Sequence, residues 1–370
     1  MALIFMDGMD QYTANTDFPD KWDETHTTVA DFKSGGGKFG GGAIRVHGRP
    51  YSTAPLGKLI PGIFGQATDP TDTSAASNTL FLTYWAWFND TSAATNYHVE
   101  FRSRSDNGVA AVTIGWASDK VTIYTGTFRS LAATSVGADI ATGQWVLVEV
   151  ALVCGNAGVG SCEVWHDGVS MVSDSAADYA YSNAASIGSV QFGVSATATG
   201  TTGGWVDLDD VVIYDDTGTE MNTRIGIGHK IHTLSPTAEG TTNSWTPQSG
   251  TDNSAMVDES GGIDTATYVE SSTAAQEDLY DVTAMSEVPT EIYGVASNIV
   301  CYEAAAGTSP RGITHRVVPV STDRDATEQF TLPISTYYTR QAIWELNPED
   351  SAEWEVADID GAEFGFELST

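Results

Sequence analysis

The carboxylates that come nearest to a chemical arrangement lie in the run Val206-Asp207-Leu208-Asp209-Asp210. In an extended strand Asp207 and Asp209 share one face and Asp210 points to the other. Three readings fit that spacing. It is a calcium site that draws further oxygens from Asp215, Asp216 or loop carbonyls, a catalytic pair of carboxylates, or an acidic cluster that accepts turn N–H groups. Asp207, Asp209 and Asp210 are therefore the metal candidates, and calcium is the cofactor to test. Trp205 and Trp245 adjoin loop sequence, where an exposed indole stacks on the apolar face of a sugar ring, which makes them the glycan-stacking candidates. The tryptophans within strand-like runs read as core. Cys154 and Cys162 flank residues 155–161, a glycine-rich link between two apolar runs. They are either a disulfide across a hairpin or two reduced thiols packed as small hydrophobes.

Other signatures of catalysis are missing. There is no Gly-x-Ser-x-Gly elbow, no His-Glu-x-x-His and no Gly-Lys-Ser/Thr phosphate loop. Seven histidines are scattered singly, and His229 and His232 would face opposite sides of a strand. Gly35, Gly37 and Gly40 have dinucleotide-loop spacing, but strand-like sequence flanks them on both sides, so they read as a turn. Asp358-Ile359-Asp360-Gly361 opens like a calcium loop and lacks the closing glutamate, so it reads as an acidic turn. Residues 67–77 read as a polar loop.

The elements that would carry these residues are strands. The chain has 370 residues, with 41% hydrophobic and 10% aromatic side chains and only 18% charged, below the usual quarter. Thr, Ser, Ala, Gly and Asp fill the difference, which suits short strands and frequent turns. Residues 80–88 (LFLTYWAWF) are apolar on both faces, as in a central strand. Runs at 97–103, 109–117, 120–124, 145–153, 162–166, 190–195 and 206–214 follow, with Asp167-Gly168 as a tight-turn signal. A break at 215–222 separates a domain at 1–220 from a second at 221–370. The second shows strand signals at 266–269, 291–303, 312–320, 336–345 and 363–368, and a helical turn at 275–280.

Asp and Glu total 49 against 16 Lys and Arg, for a formal charge of −33. That surface repels phosphate backbones and anionic membranes, so neither nucleic acid nor a membrane is the expected partner. The first ten residues do not form a signal peptide, and no run of about 20 apolar residues exists to span a membrane.

GQWVLVEVAL at 143–152, CEVWHDGV at 162–169 and WVDLDDVVIYDDTG at 205–218 occur in that order. Together they resemble the closing half of a concanavalin A-like or laminin-G-like jelly roll. The resemblance covers 1–220 and implies an all-β chain, with a second, smaller β-sandwich following. Hydrolases of that class carry Glu-x-Asp-x-x-Glu, which is absent here. HTLSPTAEGTTNSWTPQSGTDNSAMVDE, ELNPEDSAEWEVADIDGAEFGFEL and the opening MALIFMDGMDQY extend the resemblance to virion structural proteins of tailed bacteriophages. It implies a non-enzymatic, homo-oligomeric protein on the particle surface, assembled in the host cytoplasm beside other capsid or tail proteins. The alternative is a lectin-like adhesion module for host surface glycan, dependent on calcium.

Overall fold

A computed structural model describes residues 3–14, 21–22, 30–47, 56–59, 79–91, 96–103, 110–125, 130–135, 139–155, 159–177, 179, 187–196, 205–259, 264–304, 312–319, 324–332 and 337–369. The loop expected at 67–77 lies outside them. The chain divides into two compact units, Met1–Ile231 and His232–Thr370.

The first unit is a jelly-roll sandwich of two antiparallel sheets. One sheet is built on β12 (Val169–Ala177), β11 (Gly160–His166), β10 (Trp145–Val153), β5 (Thr79–Phe88), β14 (Trp205–Asp215), β3 (Ala43–His47) and β2 (Ala30–Lys33), in that order. β1 (Leu3–Asp7) also pairs with β14. The other sheet runs β4 (Leu56–Leu59), β13 (Ile187–Ala196), β6 (Asn96–Ser103), β7 (Ala110–Ala117), β8 (Lys120–Thr125) and β9 (Ser130–Thr134). β5 lies between β10 and β14, which is the central position that its two apolar faces require. Its Leu80, Leu82, Tyr84, Ala86 and Phe88 enter the core, while Thr83, Trp85 and Trp87 alternate to the outer face.

The opposite sheet supplies Val99, Phe101, Val112, Ile114, Trp116, Val121, Ile123, Val190 and Phe192 to the same core. Asp167 and Gly168 both have positive φ, 48° and 77°, at the tip of the β11–β12 hairpin. That is the conformation an Asp-Gly pair adopts most readily.

Strict alternation fails inside β14. Its register against β5 shifts between Asp209 and Val212, and Asp210 takes φ 47°. This is a β-bulge. Val206 and Leu208 face the core before it, and Val211 and Ile213 after it. The bulge, and not the simple period of two, therefore sets where Asp210 lies.

The second unit holds a five-stranded sheet: β15 (Pro236–Asn243), β18 (Glu277–Val282), β23 (Glu363–Ser369), β20 (Gly312–Val318) and β21 (Arg324–Thr331). Two ribbons accompany it, β16 (Thr246–Pro247) with β17 (Val269–Glu270) and β19 (Val295–Cys301) with β22 (Tyr338–Trp344). Ala342 and Trp344 of β22 pack with Val317 of β20. The helical turn expected at 275–280 is corrected, because β18 runs through it. Pairing on both sides, with β15 and β23, overrides the local preference. The acidic turn at 358–361 is the end of a short helix, α1 (Val356–Asp360). There Asp358 accepts from the Glu355 N–H at 2.9 Å.

The acidic charge is unevenly shared. The second unit carries 24 Asp and Glu against four Arg and no Lys. Such a surface repels itself at low ionic strength. Raising sodium chloride from millimolar to about one molar, where the Debye length falls to about 3 Å, is expected to lift its melting temperature by roughly 5 °C. Calorimetry on the full chain measures this, and an unchanged or falling transition would contradict it.

Candidate functional site

The acidic trio does not converge. Asp207 lies on the outer face of the larger sheet, paired in register with Arg45 of β3. Arg45 Nε and Nη2 donate to its two carboxylate oxygens at 2.6 and 2.7 Å, which is a bidentate ion pair. Asp209 Oδ2 accepts from the Lys38 N–H at 2.6 Å, and its Oδ1 accepts from the Asp210 N–H at 2.9 Å. Burial pushes its pKa up to about 7, and the charges of Asp10 and Asp7 add to that. Burial, and next the Asp209 charge, also push Asp210 well above the usual carboxylate range. Asp215 turns to Thr217, whose N–H and hydroxyl donate to it at 2.8 and 2.6 Å.

Among the described residues no group of three His, Cys, Asp or Glu side chains could hold a metal ion. The calcium site expected at Asp207, Asp209 and Asp210 is corrected accordingly. Arg45 and backbone donors hold these carboxylates in place of a cation. The glycine-rich segment at 34–42 serves the same anchoring. It joins β2 to β3, strand to strand, and runs closely past Asp10. A Cβ on Gly41 would sit 1.6 Å from Asp10 Oδ1, so only glycine fits.

The stacking candidates are also engaged. The Arg45 guanidinium lies 3.3 Å from the ring centroid of Trp205 and covers one face of it. Trp245 meets Phe366 edge to face at 4.8 Å and donates its indole N–H to the Gln276 carbonyl at 2.9 Å. Neither offers an open indole face on both sides, and Trp245 reads instead as the rim of a core. Cys154 and Cys162 are buried and not joined in a disulfide, so the disulfide reading is corrected. The register explains it. Cys162 stands opposite Leu152, which makes Cys154 a diagonal neighbour. Diagonal pairs lie about 7–8 Å apart, beyond the usual disulfide span.

Sequence reasoning missed the outer face of the six-stranded sheet. Gln191 of β13 pairs with Glu100 of β6, Glu100 with Thr113 of β7, and Thr113 with Tyr124 of β8. These four polar residues form one row across four adjacent strands. Their strand neighbours Val190, Phe192, Val99, Phe101, Val112, Ile114 and Ile123 all point the other way, into the core. Beside the row, Arg102 donates from Nε and Nη2 to Glu100 Oε2 at 3.2 and 3.1 Å. Thr122 lies next along β8.

The face is buried: Thr113 and Thr122 are each only 1% exposed, Gln191 2%, Tyr124 7% and Glu100 8%. The two threonine hydroxyls have no hydrogen-bond partner among the described residues. Buried hydroxyls are ordinarily satisfied, so this face has hydrogen-bonding capacity to spare. It joins donors, acceptors, a phenol and a locally neutralised ion pair on one face of the sheet.

No family model matches the chain, and no curated protein matches it. Solved structures match its fold. A cellulose-induced protein, Cip1, is 15% identical, covers 60% of this chain and all of its own, and gives a TM-score of 0.43. An endo-β-1,4-glucuronan lyase from the fungus Trichoderma reesei is 14% identical over 57% of this chain and 90% of its own, with a TM-score of 0.35. A PL-14 alginate lyase from Aplysia kurodai is 9% identical over 58% and 99%, with a TM-score of 0.40. The all-β, jelly-roll sandwich reading of the fold stands on the topology of its two antiparallel sheets. The expectation that the chain is not an enzyme is withdrawn. It rested on missing hydrolase and nucleophile motifs, and the matched structures include polysaccharide lyases.

Proposed function

We propose that the chain recognises a polysaccharide on the polar outer face of its six-stranded sheet. The observation that carries this is the in-register row Gln191–Glu100–Thr113–Tyr124, whose strand neighbours Val190, Phe192, Val99, Phe101, Val112, Ile114 and Ile123 face the core. Adjacent strands lie about 4.8 Å apart, so four of them set out a row roughly 14 Å long. That length suits an extended oligosaccharide better than a single sugar. Hydroxyl-rich ligands are bound by convergent polar groups; the row is 1–8% exposed, so a ligand must displace what covers it to reach these groups. The Glu100–Arg102 pair leaves the row without net local charge and still provides a strong acceptor and a fork of donors.

Titration of the purified chain with a panel of neutral and uronate polysaccharides tests the reading. Binding is expected with at least one member. Arg102→Ala and Gln191→Ala are each expected to weaken it about tenfold, which corresponds to about 1.4 kcal/mol. Trp245→Phe, in the second unit, leaves it unchanged. Flat titrations across the panel, or binding indifferent to both row variants, would end the proposal. The same incubations read for chain cleavage tell recognition from turnover.

The resemblance to virion structural proteins offers a setting for this face, the surface of a phage particle meeting host glycan. Mass spectrometry of purified particles tests that setting, and a particle without the chain rules it out.

A further inference from the structure

The core of the first unit contains polar side chains that the glycan-binding reading does not use. A small cavity lies between the two sheets, lined by Tyr84, Phe88, His98, Trp116 and His166 among others. Its free space is about 10 Å³ for the centre of a water-sized molecule. Four polar side chains reach this space from three directions. Tyr84 comes from β5, His166 from β11, and His98 and Trp116 from the facing sheet. Aromatic contacts fix their positions. The His98 ring lies 5.4 Å from Tyr84, 5.4 Å from Phe88 and 5.9 Å from Trp116, while Phe88 stacks on His166 at 5.8 Å.

All four residues are buried: Tyr84 0%, Trp116 1%, His98 3% and His166 8% exposed. Tyr84 Oη, both ring nitrogens of His98, Trp116 Nε1 and His166 Nδ1 have no hydrogen-bond partner among the described residues. Native cores carry very few such atoms, and here five converge on one cavity. Burial lowers the pKa of His98 to about 3 and that of His166 to about 4, so both imidazoles are neutral at ordinary pH. Each ring then offers one donor and one acceptor, the indole one donor and the phenol either.

We propose that this cavity is the binding site of a single ordered water, held by Trp116 Nε1, His98, His166 and Tyr84 Oη. The volume selects the ligand. About 10–15 Å³ of such space is the minimum for one water and leaves no room for a larger molecule. The chemistry agrees with the size. Water accepts two hydrogen bonds and donates two, so it takes the indole N–H and one further donor while giving its own protons to two acceptors. The cavity is built from neutral groups and has no cationic side chain to hold an anion.

A crystal structure of the full chain, at a resolution that shows ordered solvent, tests this directly. The expected result is one peak within hydrogen-bond distance of Trp116 Nε1 and a His98 nitrogen. In solution, the Trp116 indole proton is expected to show a cross-peak to a long-lived water. Trp116→Phe keeps an aromatic but smaller ring and removes the donor, and it is expected to lose the peak or move it away from position 116. A cavity without density in the wild-type crystal would overturn the proposal.

Discussion

Replacing Asp7 with alanine is expected to cost the first unit about 3–5 kcal/mol, the range for stripping one partner from a buried charged network. Asp7 is wholly buried at the end of β1. Its carboxylate accepts from the Met9 N–H at 3.1 Å, Gln11 Nε2 at 2.5 Å, Tyr12 Oη at 2.5 Å and Trp22 Nε1 at 2.7 Å. Lys21 Nζ lies 3.5 Å away and is itself nearly buried. Alanine leaves four donors and an ammonium without their common acceptor. Each orphaned donor costs roughly 1–3 kcal/mol before relaxation.

Asp7→Asn keeps the shape but turns an amide N–H₂ toward other donors, so it is expected to fall between wild type and Asp7→Ala. Urea unfolding followed by tryptophan fluorescence measures both, since Trp22 reports on the site itself. A loss below about 1 kcal/mol for Asp7→Ala would mean that the network relaxes without cost, against the penalty expected for unpaired buried donors. The second unit has a counterpart in Asp278, also wholly buried. It accepts from the Ser244 and Trp245 N–H groups, from Asn253 Nδ2 and from Tyr280 Oη.

These networks show where sequence reading stops. The strand content was legible, because period-two patterning and turn chemistry are local. Residues 80–88 declared a central strand, and Asp167-Gly168 declared its turn. The burial of Asp7 was not legible, since Met6-Asp7-Gly8 reads as an ordinary acidic turn until Trp22 and Lys21 are brought to it. The β14 bulge was not legible either. Nothing in Asp209-Asp210 marks the extra residue that resets the alternation, and this misassigned the face of Asp210. β18 was misread because its stability comes from β15 and β23, which are distant in sequence.

The polar row fails to show for the same reason on a larger scale. Gln191 and Glu100 are 91 positions apart, and only the strand order β13–β6–β7–β8 makes them neighbours. By contrast the acidic run at 207–210 is conspicuous in sequence, and it proves to be tied down by Arg45 and Lys38. Spacing along the chain revealed charge density, whereas the recessed row arose from register.

Acidification is expected to act oppositely on different buried groups, and the two units are expected to respond differently. In the second unit His315 is fully buried, with Nδ1 3.0 Å from Ser297 Oγ, and burial lowers its pKa to about 3. The unfolded chain takes up a proton near pH 6.5, while the folded chain refuses it until about 3. The stabilisation is therefore complete above 6.5 and is lost as pH falls. At about 1.4 kcal/mol per pH unit, the fall from 6.5 to 4.5 costs about 3 kcal/mol.

The first unit has the same liability twice, in His98 and His166. It also has the reverse in Asp209, whose folded pKa of about 7 exceeds the unfolded value of 3.8, and in Asp210, raised likewise. A raised carboxylate favours the fold at low pH and penalises it as pH rises through the folded value. Between pH 4.5 and 6.5 the aspartates thus offset the imidazoles, and the first unit is expected to lose less in acid than its two histidines alone imply. Urea unfolding of the full chain at pH 7 and 4.5 separates these terms through two variants. His315→Asn is expected to shrink the pH dependence of the second unit by about 3 kcal/mol, whatever its effect at neutral pH. Asp209→Asn is expected to steepen the acid loss of the first unit. An unchanged pH slope in both variants would mean that these side chains titrate alike in the folded and unfolded chain, and that burial does not set their charge.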